Sequence, residues 1–286
     1  MCEHCGCDSG ARVTSTNLQT GESTVLHAHS HEHAHADGAR HSHEHTAHSH
    51  HAHSHGHDDH HHGSPHVLEL SARVLAKNDA LAAANRAWLL KRNILALNLM
   101  SAPGAGKTTL LERTLRDLKA AAPLYVVEGD QATANDAMRV RNAGAIAVQV
   151  NTGTGCHLDA HMVAHGLEDL DPPDGAIVFI ENVGNLVCPA LFDLGERRKV
   201  AILSVTEGDD KPLKYPYMFR AADLVLLNKI DLLPYVDFDV ERAAAHARDA
   251  NPGVTIMALS ARTGEGLAAW YGWLQSGRAA LGPAGA

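Results

Sequence analysis

Residues 93–115 read NILALNLMSAPGAGKTTLLERTL. The apolar run Ile94 to Met100 predicts a buried strand, the small residues after it a tight turn, and the stretch from about Lys107 a helix. A strand, a small-residue turn and a helix in that order are what a phosphate-binding loop requires. The backbone N–H groups of Gly104, Ala105 and Gly106 and the helix N-terminus can surround phosphates, and Lys107 can reach the outer ones. The Thr108 hydroxyl, followed by Thr109, is placed to ligate Mg2+. One position departs from the glycine-rich pattern: Ser101 stands where the first glycine would be.

About a hundred residues further on, DLVLLNKIDLL carries Asn228, Lys229 and Asp231 after another apolar run. A carboxylate at Asp231 can accept hydrogen bonds from both N1–H and the exocyclic amine of guanine, whereas adenine would leave it poorly paired. SARTGEG then follows the apolar run Thr255 to Leu259, and its Ser260 and Ala261 are candidates for a second base-contacting loop. The nucleotide this spacing selects is GTP. Further apolar runs, 124–127, 146–150, 176–180, 200–205 and 224–227, alternate mostly with helical stretches. They predict an α/β fold, a three-layer P-loop NTPase with a largely parallel sheet.

The chain has 286 residues, 45% of them hydrophobic and 20% charged, enough for one sizeable core with appendages. Its formal charge of −9, without a Lys or Arg cluster, speaks against a nucleic-acid partner. No apolar run is long enough to span a bilayer and Met1-Cys2-Glu3 does not open a secretory signal, so the reading is no membrane and a cytoplasmic location. In that compartment cysteines favour metal binding or catalysis over disulfides.

Composition divides the chain. MCEHCGCD opens a Cys-rich segment, residues 1–26, and residues 27–66 hold 18 of the 23 histidines among Ala, Ser, Gly, Asp and Glu. That second stretch has little to bury, which predicts a disordered linker; its closely spaced imidazoles suit nickel, copper, zinc or cobalt and point to metal buffering. Residues 67–92 predict a lead-in helix with Leu70, Val74 and Leu81 on one face, and residues 93–286 the nucleotide-binding domain.

Two candidates for chemistry remain within that domain. Cys156-His157 follows a predicted strand, and Cys188 lies in FIENVGNLVCP seven positions beyond Glu181. The glycines of NTGTGCH permit loop geometry that could turn Cys156 and His157 toward one ion; two small buried thiols and an unrelated histidine are the alternative. Three protein ligands leave an ion incompletely coordinated, so water or a second copy of the chain could complete it.

Taken together, MCEHCGCD, the His-rich linker, SAPGAGKTT, EGDQAT, NTGTGCHLD, ENVGNLVCP, NKIDLL and SARTGEG resemble the HypB family of hydrogenase nickel-incorporation GTPases, of the SIMIBI class. The related urease-maturation GTPases are similar in the nucleotide motifs but have a Cys-Pro-His motif in place of the Cys-His pair and lack the thiol-rich start. The resemblance implies a high-affinity nickel site at Cys2, Cys5, Cys7 and the terminal amine; three thiolates and a nitrogen suit square-planar Ni2+. His4 could instead complete a tetrahedral Zn2+ site. It further implies an internal site for Ni2+, or Zn2+, at Cys156, His157 and Cys188. Glu181 is then expected near magnesium, and Asp130 positions magnesium or the attacking water, a solvated strand-end Asp being the plain alternative.

The function implied is a GTPase that delivers or inserts nickel during [NiFe]-hydrogenase maturation and stores it in the tail. The partners implied are a HypA-like nickel/zinc metallochaperone, a hydrogenase large-subunit precursor, and a second copy of the chain in a nucleotide- and metal-dependent homodimer. Nickel storage or detoxification, and urease maturation, are the alternatives.

Overall fold

The computed structural model describes residues 13–26, 33–34, 40–41, 65–130, 139–140, 142–153 and 155–282, the side chains of 33–34, 40–41, 65–72 and 130 excepted. Cys2, His4, Cys5 and Cys7 and almost all of the His-rich stretch lie outside the described residues.

In chain order the elements are β1 (Val13–Asn17), β2 (Ser23–Leu26), the two-residue strands β3 (His33–Ala34) and β4 (Arg40–His41), α1 (Pro65–Lys91), β5 (Leu95–Ser101), α2 (Lys107–Leu118) and β6 (Leu124–Asp130). Then come β7 (Ile146–Asn151), α3 (Ala160–Leu170), β8 (Ile177–Glu181), α4 (Cys188–Leu191), β9 (Arg198–Ser204), α5 (Lys211–Lys214) and α6 (Pro216–Ala221). The last are β10 (Leu224–Asn228), a 3-10 turn (Ile230–Tyr235), α7 (Val240–Ala250), β11 (Thr255–Ala258) and α8 (Leu267–Ala279).

Nine strands form one sheet in the order β11-β10-β9-β5-β8-β6-β7-β1-β2. From β11 to β7 every pairing is parallel, and all seven residues of β5 are buried, as a central parallel strand covered on both faces demands. Alternation along β5 sends Leu95, Leu97 and Leu99 into the core shared with Leu111, Leu115 and Trp270 of α2 and α8. Ile94 and Ala96 face the opposite core, with Leu89 of α1 and Val163 and Leu167 of α3, while Met100 joins Phe219 and Ala247 beneath α6 and α7. Helices on both faces of a largely parallel sheet make three layers, and each large apolar side chain so buried contributes about 1.5–3 kcal/mol.

The hairpin β1–β2 is an element that the apolar-run reading missed. It pairs Val13 with Leu26 and Thr16 with Ser23, and β1 runs antiparallel along β7, Ser15 opposite Val150. Its turn is built by Asn17, whose Oδ1 accepts from the Gln19 and Thr20 N–H groups, and by Gly21 at φ 77°. Ser15 is 1% exposed and donates to Asp169 of α3. The signal was present in VTSTNLQTGESTVL, whose β-branched residues flank a Thr-Gly turn.

α1 begins at Pro65 and buries a different face from the one its apolar residues suggest. Val74 is 51% exposed, whereas the buried positions are Asn78, Ala82, Asn85 and Leu89, spaced by four, three and four. The two asparagines are tethers. Asn85 Nδ2 donates to the carbonyls of Ala160 (2.8 Å) and Leu194 (3.0 Å); Asn78 accepts from the Ala160 N–H and donates to the Asp193 carbonyl. Gly195, at φ 91°, permits the approach, since a Cβ there would stand 2.6 Å from the Asn85 Cβ. α1 thereby fixes the start of α3, which follows the Cys156-His157 turn.

Candidate functional site

The loop after β5 crosses the end of the sheet and enters α2. Ser101 is the last residue of β5, fully buried with its hydroxyl on the Ala102 carbonyl, so its extended backbone does not require the glycine expected there. Gly106 does need to be glycine: its φ is 92°, and a Cβ would lie 2.6 Å from Asn228 Nδ2. As the N-cap of α2 it has no side chain to occupy the first-turn N–H groups, which remain available to an anion.

A cleft of about 490 Å³ opens over this loop, lined by residues 101–109, Glu128, Gly129, Arg139, residues 181–184 and Lys229. Thr108 Oγ1 donates to Glu181 Oε1 at 2.7 Å and Lys107 Nζ stands 3.5 Å from the same oxygen. The lysine side chain is only 12% exposed, so it is not the free loop residue that the motif alone suggests but an ion-pair partner for a carboxylate that is 4% exposed. Glu181 Oε2 is buried without a hydrogen bond. An unmatched carboxylate oxygen beside a threonine hydroxyl, in a cleft floored by backbone N–H groups, is a donor set of hard oxygens that fits Mg2+.

Three polar residues of the cleft have no role in the sequence reading, although EGDQAT and ENVGNLVCP contain two of them. Glu128 is 2% exposed on β6, and Arg139 reaches Thr109 Oγ1 (3.1 Å) and Glu112 (2.8 Å). Asn182 is the third. Asp130, the expected water- or magnesium-positioning residue, closes β6, but its side chain lies outside the described residues.

The residues expected to read a base are tied to the loop after β5. Asn228, at the end of β10, donates from Nδ2 to the Ala105 carbonyl (2.9 Å), and its Oδ1 accepts from the N–H groups of Lys229 (2.8 Å) and Ala261 (3.2 Å). Lys229, at φ 65°, sends Nζ to the Gly104 carbonyl at 2.6 Å. Asp231 accepts at one oxygen from Ser260 Oγ (2.6 Å), which holds its carboxylate in place. Glu207, which is half-buried, accepts from the Ser204 N–H, and desolvation pushes its carboxyl pKa above the usual range.

The thiol cluster forms from three separate backbone devices. After β7, Thr152 and Gly155 close a tight turn through the Gly155 N–H to Thr152 carbonyl and the Thr152 hydroxyl to Gly155 carbonyl bonds. Cys156 and His157 follow, and Asp159 then caps α3 by accepting from the Met162 N–H. Cys188 begins α4. Cys156 Sγ lies 3.1 Å from Cys188 Sγ and 3.6 Å from His157 Nδ1, and all three ligand atoms fall within 4.8 Å of one another. Neither cysteine is in a disulfide. His157 packs on the Phe192 ring, centroids 4.0 Å apart; burial lowers its pKa against the opposing effect of Asp159, and this lowering favours the neutral imidazole that ligates metals.

Asn182 joins the two sites. It follows Glu181, accepts at Oδ1 from the N–H groups of Leu158 (3.1 Å) and Val183 (3.0 Å), and donates to Asn98 of β5 (3.3 Å). One side chain, 1% exposed, therefore connects the strand that feeds the phosphate loop, the Glu181 end of β8 and the residue after His157. Glu196 extends the network by accepting from Asn98 Nδ2 (3.2 Å) and from the Leu194 N–H.

Residues 95–258 match the family model of the CobW/HypB/UreG nucleotide-binding domain. Among curated relatives, the hydrogenase maturation factor HypB of Escherichia coli K12 is 59% identical over 214 residues, 75% of this chain and 74% of its own length. That of Rhizobium leguminosarum bv. viciae is 57% identical over 73% of this chain and 70% of its own. Among solved structures, HypB of Archaeoglobus fulgidus superposes with a TM-score of 0.66 at 42% identity, covering 71% of this chain and 98% of that one. HypB of Helicobacter pylori in complex with nickel does so at 0.66 and 39%, covering 71% and 95%. Among the described residues no helix is long and apolar enough to cross a membrane.

Proposed function

The chain belongs to the HypB family of the CobW/HypB/UreG nucleotide-binding proteins, and from that premise we propose a GTP-hydrolysing nickel chaperone that delivers or inserts nickel during [NiFe]-hydrogenase maturation. The observation that carries the reading is the Asn182 link: a nucleotide cleft and a three-ligand metal cluster meet at the two ends of one short segment, residues 181–188. That the Helicobacter pylori relative was solved with nickel supports the identity of the cargo.

In this reading the first-turn N–H groups of α2 and Lys107 bind the phosphates, Thr108 and Glu181 hold magnesium, and Asn228, Asp231, Ser260 and Ala261 select guanine. Magnesium, when bound, supplies positive charge against the charge that develops on the phosphates. Asp130 orients the water that displaces GDP from the γ-phosphoryl group, yielding GDP and inorganic phosphate. Binding of GTP recruits the Thr108 hydroxyl away from Glu181, and the adjoining Asn182 passes the movement to Leu158 and the Cys156-His157 turn. Nickel or zinc sits at Cys156, His157 and Cys188, completed by a second copy of the chain in a homodimer. A tighter nickel site lies at Cys2, Cys5 and Cys7, with storage in residues 27–66. The proposed partners are a HypA-like metallochaperone and a hydrogenase large-subunit precursor in the cytoplasm.

Linkage makes this testable, because a metal that senses the nucleotide must change nucleotide affinity by the same factor. With Cys2, Cys5 and Cys7 replaced by Ala and residues 38–62 removed, nickel titration should give different affinities with GDP and with a non-hydrolysable GTP analogue. Sedimentation should show association responding to both ligands. Identical nickel affinity and unchanged association in the two states would refute the coupling, and absence of GTP turnover in the intact chain would refute the enzyme.

A further inference from the structure

The two chain segments that carry the thiol cluster are gripped by one helix that contributes no ligand to it. Ala160 opens α3 three positions past His157, and Leu194 lies six positions past Cys188. A single amide of α1, Asn85 Nδ2, donates to the carbonyls of both, at 2.8 and 3.0 Å. Asn78, seven positions earlier and so on the same face of α1, repeats the arrangement. Its Oδ1 accepts from the Ala160 N–H at 2.9 Å, a first-turn donor with no partner inside α3, and its Nδ2 donates to the Asp193 carbonyl at 2.8 Å. The asparagines are 6% and 7% exposed, so these bonds form with little competition from water. Segment 193–195 lies against the α1 backbone itself, since a Cβ on Gly195 would stand 2.7 Å from the Ala82 carbonyl oxygen. None of the described residues that line the nucleotide cleft comes from α1.

We infer that Asn78 and Asn85 are positioning residues of the thiol cluster: α1 fixes the separation of the Cys156-His157 turn from Cys188 and so sets metal affinity without touching the ion. The effect on affinity rests on the reading of that cluster as a metal site; the effect on the separation of the two thiols does not. Preorganisation is the physical basis, because ligands already held at the right spacing lose little freedom on binding, whereas loose ones must be ordered by the ion. The turn is thus held from two sides. Asn182 reaches it from the nucleotide side through Leu158, and α1 reaches it through Ala160, which makes α1 a separate control on metal retention.

The test uses the full chain with Cys2, Cys5 and Cys7 replaced by Ala, which leaves Cys156 and Cys188 as its only thiols. In metal-free protein, dibromobimane bridges two thiols only when they are close, and its fluorescence gives the rate. Asn85→Ala should slow bridging about fivefold or more. Asn78→Asp keeps an acceptor for the Ala160 N–H but sets a carboxylate against the Asp193 carbonyl, so it should slow bridging about two- to threefold. In a titration with NiSO4, nickel–thiolate absorption can arise only at these two cysteines, and the His-rich stretch competes alike in every variant. Asn85→Ala should raise the midpoint about tenfold while GDP affinity stays within about twofold of the parent. Leu89, 2% exposed on the same helix, is the control: Leu89→Ala removes apolar packing but none of these hydrogen bonds, so it should lower Tm and leave bridging and midpoint within about twofold. Unchanged bridging in Asn85→Ala would overturn the inference, and so would an equal loss in Leu89→Ala, which would make the effect one of stability alone. Should Asn85→Ala not fold, Asn78→Asp decides by the same two outcomes. Absence of the nickel–thiolate band in the parent would refute the metal reading of the cluster instead, while bridging still decides the positioning.

Discussion

Replacing Asn228 by Ala tests whether the segment proposed to read the base also holds the phosphate loop in shape. The side chain is 1% exposed and makes three hydrogen bonds, to the Ala105 carbonyl and from the Lys229 and Ala261 N–H groups. Each such bond contributes about 1 kcal/mol net, and a buried partner left unsatisfied costs more. Ala105 and Ala261 are 0% and 6% exposed and cannot recover a bond from water, whereas Lys229 is only half-buried and can. The expected loss is therefore about 3 kcal/mol, which for a chain of this size lowers Tm by about 6–12 °C. Guanine-nucleotide affinity should fall at least tenfold, because the Ala105 carbonyl and the Ala261 N–H lose their common anchor. Urea denaturation of the apo chain and nucleotide titration measure the two effects. Asn228→Asp separates the arms: it keeps an acceptor for both N–H groups but sets a carboxylate against the Ala105 carbonyl, so it should be nearly as damaging. A loss below about 1 kcal/mol with nucleotide affinity within twofold of the parent would refute the reasoning.

Other perturbations follow from the same geometry. Lys107→Ala should abolish GTP hydrolysis and also lower apo stability by about 2–3 kcal/mol, since Glu181 loses its cation in a nearly dry site; retained turnover would refute the phosphate-loop assignment, and unchanged stability the ion pair. Asp231→Asn should shift preference from GTP toward xanthosine triphosphate, because an amide can donate to the C2 oxygen of xanthine, and competition binding with the two nucleotides measures it. Asp193 lies between α1 and β9; burial works to raise its pKa, but hydrogen bonds from Arg86 and the Gly195 N–H hold it below the usual carboxylate range. Its contribution is present above the unfolded pKa of about 3.9 and is lost as pH falls through the lower folded value. With both partners more than a third exposed, Asp193→Asn should cost only about 1 kcal/mol at pH 7 and flatten the acid limb of the stability profile.

The short motifs were legible because their chemistry is local. A strand, a small-residue turn and a helix within residues 93–115, and Asn228, Lys229 and Asp231 within four positions, specify their geometry through neighbours in the chain, so the α/β class, the parallel order of elements and the cleft-lining loop could be read directly. Apolar runs located all seven parallel strands, most plainly β5, β8 and β10, which are buried along their whole length and have no polar side to disguise them. β1 and β2 escaped that reading because an edge hairpin buries only part of its side chains, and α1 misled it because its buried stripe is Asn78, Ala82, Asn85 and Leu89, where two amides replace apolar contact with backbone hydrogen bonds. Nothing in the one-dimensional pattern says that Cys188 stands 3.1 Å from Cys156, that Lys107 is withdrawn against Glu181, or that Asn182 bonds the turn carrying the cluster. Those relations span tens of residues and depend on which strands the sheet places side by side: β8 between β5 and β6, with β7 next, brings the ends of four strands together. The sequence by itself determined which chemical groups were present and which local shapes they favour. Tertiary structure decided which of those groups meet, because strand order, set by long-range burial, has no counterpart in spacing along the chain.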